Sequence, residues 1–397
     1  MKVVHITASI EGGAGIAVCR LHGALKEQGV DSSILSFSTA VDDENRHQIR
    51  LSLLQKLILR SKLPIYNNAF RNKLGKFLSK FFAWSWPCSI VDVSRNSLVR
   101  NADIIHLHWV GDTINYKRFF SKIKKPIVWT FHDKNPILGF SHLESDWHEK
   151  EFPLFVYELE QYVAKIKRDA YKKTEQLDIV CLSNWMRQAS VTSDAFKGRN
   201  HHIIRNCVDI NIFKQLNKEQ CRAEWGISHN KPVLFFAAGN IKAHHKGIDL
   251  LISAIKRLDQ DVHFLCAGGD SLCEERNIQH VGMIKNPHKL ASLYNAADYF
   301  IIPSREDNFP NTVLESLACG TPVIGYHIGG IPDLIQHGIN GLLAETVSAS
   351  ALANSIEEAV SQKYHFDRHA ISSAAHALYN PNHIANQYIK LYNSLII

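Results

Sequence analysis

The chain lacks any C-x-x-C pair. Its eight cysteines (19, 88, 181, 207, 221, 266, 273 and 319) are scattered, several within apolar runs. That scatter fits a reduced cytosolic protein rather than a disulfide framework. No uncharged run approaches the roughly 20 residues of a membrane-spanning helix, and no basic-apolar-small leader precedes the first strand-like run, so neither a spanning segment nor a signal peptide is expected. Gly-x-Ser-x-Gly, a Cys-His dyad context and nucleic-acid modules are all missing, which argues against hydrolase chemistry of those kinds and against a nucleic-acid partner. There is no short repeat and no low-complexity tract.

Acids are absent from one long stretch. Between Arg46 and Phe82 stand nine cations (Arg46, Arg50, Lys56, Arg60, Lys62, Arg71, Lys73, Lys76 and Lys80), interleaved with Leu, Ile and Phe, and no Asp or Glu. The net charge of +7 owes much to this segment. Such a basic amphipathic segment suits an anionic membrane surface; an ordinary basic helical face packed on its own domain is the alternative.

What is present is an α/β rhythm. At 397 residues and 45% apolar content the chain suits two compact domains. Strand-like runs alternate with helix-length stretches: Val3–Ser9, Ser32–Ser38, Asp103–Trp109, Ile127–Asp133, Asp178–Asn184 and His201–Asn206, then Val233–Gly239, Val262–Gly269, Asp298–Ser304, Pro322–Tyr326 and Gly341–Glu345. Alternation of this kind predicts parallel sheets in two Rossmann-like domains, residues 1–205 and 206–380, with a linker near Asn206–Gln220 and a last helix over 381–397.

Four places carry candidate chemistry. The densest is Ser304–Leu343, where a strand-like run ends, Asp307 follows, and a helix is expected near Thr312 with Glu315 in its first turn. A helix amino end attracts anions, and two carboxylates eight positions apart can accept hydrogen bonds from sugar hydroxyls. Thr312 and Glu315 also spell a capping box, which would give Glu315 a structural task. Second, Gly239–Gly247 follows a strand and contains Asn240, Lys242 and Lys246. Third, Gly12, Gly13 and Gly15 follow the first strand and precede a helix expected over Ile16–Gln28, a layout in which backbone can approach a bound group closely. Fourth, His132 ends a strand and is followed by Asp133; His106 and His108 share one face of the preceding strand and read as structural. No further zinc ligands stand at suggestive spacing. Asp259-Gln260-Asp261 is formally a D-x-D metal motif but falls between a helix and a strand, where exposed acids are routine.

The segment around Asp307 and Glu315 resembles the donor-binding signature of glycosyltransferase family 4, retaining enzymes of the GT-B fold: Glu, seven residues, Glu. Asp307 holds the first position, or Glu306 out by one. With Gly-Thr-Pro, Gly-Gly-Ile-Pro and Asn-Gly-Leu-Leu beyond it, and with His-Leu-His-Trp and Ser-Asn-Trp in the first half, the chain is similar to transferases of bacterial exopolysaccharide, capsule or O-antigen assembly. The resemblance implies two Rossmann-like domains facing across a cleft and a last helix that crosses back to the first. It also implies a nucleotide diphosphate-sugar donor, a glycan or lipid-linked acceptor, and no metal or other cofactor. By residue it implies that Asp307 and His132 orient the donor sugar, that Lys246 offsets diphosphate charge, and that Glu315 anchors ribose. Gly13, Gly15, Asn240, Lys242, Gly268, Met283, Phe309, Asn311 and Thr312 would line the donor, and the base would lie near Gly268-Gly269 and Val281-Gly282-Met283. Two positions depart from the family: Asn240 stands where arginine is usual, and Pro310 where glycine is often found, so backbone donors would come from Phe309, Asn311 and Thr312. A nucleotide-sugar 2-epimerase of the same fold and a catalytically silent, membrane-docked subunit are the rival readings. The expected location is the cytoplasmic face of the membrane, with peripheral attachment.

Overall fold

The computed structural model describes residues 1–38, 45–49, 74–148, 151–227, 230–241, 243–259, 261–269 and 278–396. They form two compact units, 1–204 with 385–397, and 205–384.

The first unit is built on a seven-stranded sheet: β1 (Lys2–Ser9), β2 (Asp31–Ser38), β3 (Arg46–Gln48), β4 (Ile104–Leu107), β5 (Ile127–Phe131), β6 (Leu177–Cys181) and β7 (His201–Ile203). Strand order is β3-β2-β1-β4-β5-β6-β7, and every pairing is parallel. β4, β5 and β6 are buried at every position, as expected of parallel strands covered on both faces, which read as unbroken apolar runs. The last helix, Pro381–Leu395, carries Tyr388 and Tyr392 onto this unit: the Tyr388 hydroxyl lies 2.9 Å from Thr130 Oγ1 and that of Tyr392 lies 2.7 Å from His106 Nδ1.

The second unit holds a six-stranded parallel sheet of β8 (Val233–Ala238), β9 (His263–Gly268), β10 (Ile278–Gly282), β11 (Tyr299–Ile302), β12 (Val323–Tyr326) and β13 (Gly341–Ala344), in the order β10-β9-β8-β11-β12-β13. Its core packs Leu234, Phe236, Phe264, Ile301 and Ile324 under the helices Ile248–Ile255 and Ala349–Val360.

In each sheet the strand order reverses once, between β1 and β4 in the first and between β8 and β11 in the second. Chain leaving the carboxyl ends of such a pair departs to opposite faces, and the crevice between is where open parallel sheets bind ligands.

Several expectations need correction. β3 and β10 were not anticipated; β3 has only three residues, and Val281 and Gly282, expected beside the base, end β10. The first helix begins at Gly12 rather than Ile16. The stretch 206–217 is no tether: Val208 N donates to Tyr379 O at 3.0 Å and Leu216 N to Asn295 Oδ1 at 2.8 Å, fastening it within the second unit. Of the basic segment, residues 50–73 lie outside the described residues. Beyond them Leu78 and Phe82 are buried with Phe140, Val156 and Val163, while Lys76 and Lys80 are exposed. The apolar side of this part therefore packs on its own unit, and the cations face solvent.

Candidate functional site

The reversal point of the second sheet brings two distant loops together. After β8 come residues 239–241 and 243–247, and chain leaving β11 runs through 303–310. Gly247 makes the approach possible: its φ is +67°, and a side chain there would overlap the Pro303 carbonyl. Arg305 then stitches the loops. Its amide donates to His245 O at 2.8 Å, and its guanidinium donates to His244 O at 3.0 Å and to both Asp249 oxygens at 2.7 and 2.6 Å. This bidentate pair holds the Asp249 carboxyl below its ordinary pKa range.

The product is an ion pair, Lys246 Nζ to Asp307 Oδ2 at 2.7 Å, with the side chains 29% and 14% exposed. Asp307 is fixed from behind by the Gly-Gly-Ile-Pro turn: Gly330 N donates to Asp307 O at 2.9 Å, and a side chain at Gly329 (φ +61°) would overlap that same carbonyl. Glu306, the alternative first acid, is buried instead.

Beyond Asp307 the helix Asn311–Ala318 begins. Pro310 is its cap and offers no side-chain bond, while its carbonyl accepts from Val313 N and Leu314 N. Thr312 is thus the second residue inside the helix, and the capping-box reading of Thr312 and Glu315 fails. Glu315 turns inward, 4% exposed, and accepts a hydrogen bond from the Tyr294 hydroxyl at 3.1 Å. Tyr294, on the helix Pro287–Ala296, had no signal in the sequence.

The remaining expected donor residues are unevenly placed. Asn311 opens the helix, and its Oδ1 accepts from Asn206 Nδ2 at 3.0 Å; Thr312 is half-buried. Phe309 is buried with its ring against Tyr379. Asn240 and Met283 are exposed at the carboxyl ends of β8 and β10. Gly268 closes β9, where a side chain would overlap Ala238 O. Lys242 lies outside the described residues, as does Gln260 of the D-x-D; Asp261 is paired with Lys231 at the surface.

In the first unit the reversal point lies between β1 and β4. Gly13 and Gly15 fall in the first turn of the helix Gly12–Glu27 rather than in a loop. A side chain at Gly15 would overlap the Ile10 backbone, so this glycine serves close packing of helix start on strand end.

Beside it runs a chain of imidazoles. His5 Nδ1 lies 3.0 Å from His108 Nε2, and His108 Nδ1 lies 3.1 Å from His132 Nε2. Burial pushes His5 down to about 3 and His132 down to about 4, and it holds His106 and His108 well below the ordinary histidine range, so all are neutral at pH 7. Sequence spacing paired His106 with His108; His5, 103 positions from His108, was missed. Ligand nitrogens of His5, His106 and His108 lie within 4.8 Å of one another. Both nitrogens of His106 are engaged, by Tyr392 and by Thr130 Oγ1 at 2.8 Å, so metal ligation there would require breaking one of those bonds.

Asp133, next to His132, is held by His142 Nδ1 at 2.6 Å, by Trp109 Nε1–H at 2.8 Å and by Asn135 N at 2.9 Å. Burial alone would raise its carboxyl; the His142 interaction and these hydrogen bonds keep it below the usual range. His142 Nε2 is 2.9 Å from Ser85 Oγ, giving the order of a Ser-His-Asp triad. Ser85 is 1% exposed, and the adjoining cavity of about 10 Å³ holds about one water, so no substrate carbonyl can reach it.

The loop bearing these groups is clamped by the helix Leu154–Tyr171. Glu160 accepts from the amides of Gly139, Phe140 and Ser141 at 2.7, 2.8 and 3.2 Å. Lys167 donates to Asn135 O and Oδ1 at 2.7 and 3.0 Å, and burial pulls it down to about 7. Their seven-residue spacing, two turns of one helix face, was the only available signal.

A family model described as "Glycosyltransferase Family 4" matches residues 11–212, and one described as "Glycosyl transferases group 1" matches residues 231–362. A D-inositol 3-phosphate glycosyltransferase of Mycobacteroides abscessus is 32% identical over 44% of this chain, which spans 42% of that relative's length. An uncharacterized 41.2 kDa protein from the cps region of Klebsiella pneumoniae is 19% identical over 99% of the chain and 100% of its own length. The crystal structure of Anabaena HepE in complex with UDP-glucose superposes with a TM-score of 0.66 at 17% identity, covering 100% of both chains.

Proposed function

The chain belongs to glycosyltransferase family 4, and from that premise we propose that it moves a sugar, with retention, from a nucleoside diphosphate to a hydroxyl of a lipid-linked glycan in cell-surface polysaccharide assembly. The observation that carries this reading is the Lys246–Asp307 pair at the reversal point of the second sheet, beside the amino end of the helix Asn311–Ala318. Lys246 and the helix end attract the diphosphate. Once Lys246 turns to phosphate, Asp307 is released to accept from sugar hydroxyls. Glu315, already oriented by Tyr294, accepts from ribose. In the first unit, His132 and the glycine-led helix are the groups we assign to sugar and acceptor. No side chain then has to make a covalent bond: the departing phosphate takes the acceptor proton, and the protein supplies position and charge.

The capsule-region relative and the neighbour that holds UDP-glucose support the choice of pathway and of donor class. We propose further that no metal is needed, since Lys246 and backbone amides face the diphosphate, and that the exposed cations Lys76 and Lys80 help hold the protein on the cytoplasmic membrane face.

A panel of nucleotide sugars, UDP-glucose first, screened by thermal shift in the presence of chelator, tests the reading. One donor is expected to raise the melting temperature and to be hydrolysed slowly without acceptor. Production of an epimerised nucleotide sugar would establish the 2-epimerase instead. Binding without any turnover, with acceptor lipid extracts present, would establish the silent subunit.

A further inference from the structure

Three neutral imidazoles in a row carry three N–H protons, and the two links between them hold two. The third proton must sit at one end, on His5 Nε2 or on His132 Nδ1. Those ends differ. His5 Nε2 is buried without a hydrogen-bond partner among the described residues, and a buried N–H left unpaired is strongly disfavoured. At the other end the Asp133 carboxylate adjoins His132, and its negative charge favours a proton there.

We infer that His5 is a positioning residue which, by donating from Nδ1 to His108 Nε2, makes His108 donate from Nδ1 to His132 Nε2 and so fixes His132 with its proton on Nδ1. On the role proposed for His132, Nδ1 is then a hydrogen-bond donor, chemistry that suits a hydroxyl or carbonyl oxygen rather than an N–H. This inference rests on the proposed role of His132, but the tautomer is a property of the resting protein and is read without substrate.

The second end of the network supports the direction. His106, stacked on His108 with ring centroids 4.0 Å apart, takes no part in either link, because its nitrogens face the Tyr392 and Thr130 hydroxyls. Those hydroxyls can donate or accept to suit either tautomer of His106, so they leave the His5–His108–His132 chain free to follow the bias at its two ends.

The test is a long-range nitrogen–proton spectrum of the full chain labelled with ¹⁵N-histidine at pH 7, with His132 assigned by loss of its signals in His132→Gln. His132 is expected to show a protonated Nδ1 and a bare Nε2. His5→Phe, which removes the first donor, should convert His132 to a mixture of tautomers. His5→Asn, whose amide places an N–H near the position of Nδ1, should restore the single form. A wild-type His132 protonated at Nε2 overturns the inference, and so does an unchanged His132 spectrum in a folded His5→Phe. If His5→Phe fails to fold, the wild-type spectrum still decides. A protein that proved inactive on every nucleotide sugar would overturn the proposed function and leave this result standing.

Discussion

The two reversal points occupy the same place in two parallel sheets, yet they are built from opposite chemistry. In the first unit the groups are uncharged, buried and hydrogen-bonded over long sequence distances: His5 to His108 to His132, His106 to Tyr392. In the second they are charged and only partly buried: Lys246 with Asp307, Arg305 with Asp249. A neutral network in a low-dielectric interior is stiff, insensitive to salt, and vulnerable to any proton that must enter it. An ion pair that water still reaches contributes little to stability, but its partners can be exchanged for those of an incoming ligand. One unit holds its groups by hydrogen bonds, and the other can exchange its ion-pair partners for an incoming anion.

Acidification should separate the halves most widely. His5 and His132 have folded pKa values of about 3 and about 4, below the ordinary value of 6.5. As pH falls from 6.5 toward 4 the unfolded chain binds protons that the folded one refuses, so stability is lost through that window and these groups add nothing further once both states are protonated. Each histidine contributes about 1.4 kcal/mol per pH unit, so at pH 4.5, two units below 6.5, the pair should cost the first unit roughly 5–6 kcal/mol. In the second unit the lowered carboxyl of Asp249 keeps its contribution until pH falls below about 3.8. Hydrogen exchange followed by mass spectrometry at pH 7, 5.5 and 4.5 should show β1, β4 and β5 losing protection while β8 and β11 keep it. Equal loss in both units would end the contrast.

Lys246→Ala sharpens it from the other side. Negative charge on the diphosphate grows as the sugar departs, so turnover should fall about 100-fold while ground-state donor binding changes far less. Melting temperature should shift by no more than the roughly 1 kcal/mol of a surface ion pair. A variant that turns over normally would remove Lys246 from the reaction.

Glu315→Gln should act on binding alone. The amide oxygen can still accept from Tyr294, but a charge-assisted bond to ribose becomes a neutral one, and donor affinity should drop by about 1.5–3 kcal/mol. Calorimetry on wild type and variant with the same nucleotide sugar is the check. Unchanged affinity with a much lower melting point would make Glu315 a packing residue.

This contrast also explains what could be read in advance. Asp307 and Glu315 are eight residues apart on one loop and helix, and Lys246-Gly247 is a dipeptide following a strand, so local spacing exposed them. Alternating apolar runs exposed eleven of the strands; β3, with three residues, and β10, with every position half-buried, gave too little pattern. His5 looked like any residue of an apolar strand, because its partner is 103 positions away. Glu160 and Lys167 looked like ordinary polar positions of an amphipathic helix, since nothing local says that the loop Asn135–Ser141 folds over them. The capping box was a correct pattern in the wrong register: Pro310 begins the helix two residues earlier than Thr312, and this turns Glu315 to the interior.

The smallest effect tests whether the first unit, whose imidazole chain is neutral, carries its exposed cations elsewhere for a purpose. Lys76 and Lys80 are exposed on a piece of chain whose Leu78 and Phe82 are locked against Phe140, Val156 and Val163, so they can be changed without touching the core. If the segment 46–82 docks on anionic lipid, each cation near the surface contributes on the order of 1 kcal/mol, screened over about 10 Å at 0.1 M salt. Changing Lys76 and Lys80 to Ser should then weaken binding to phosphatidylserine vesicles by roughly fivefold for each cation while sparing transfer to a soluble acceptor analogue and the melting temperature. Adding Arg71→Ser and Lys73→Ser should weaken it further. Because Leu78 and Phe82 already face their own unit, the attraction should be electrostatic and should vanish at high salt; binding that survives high salt would mean that apolar side chains insert. Co-sedimentation at low and high salt distinguishes these outcomes, and equal sedimentation of wild type and variant would leave the cations as a solvated face.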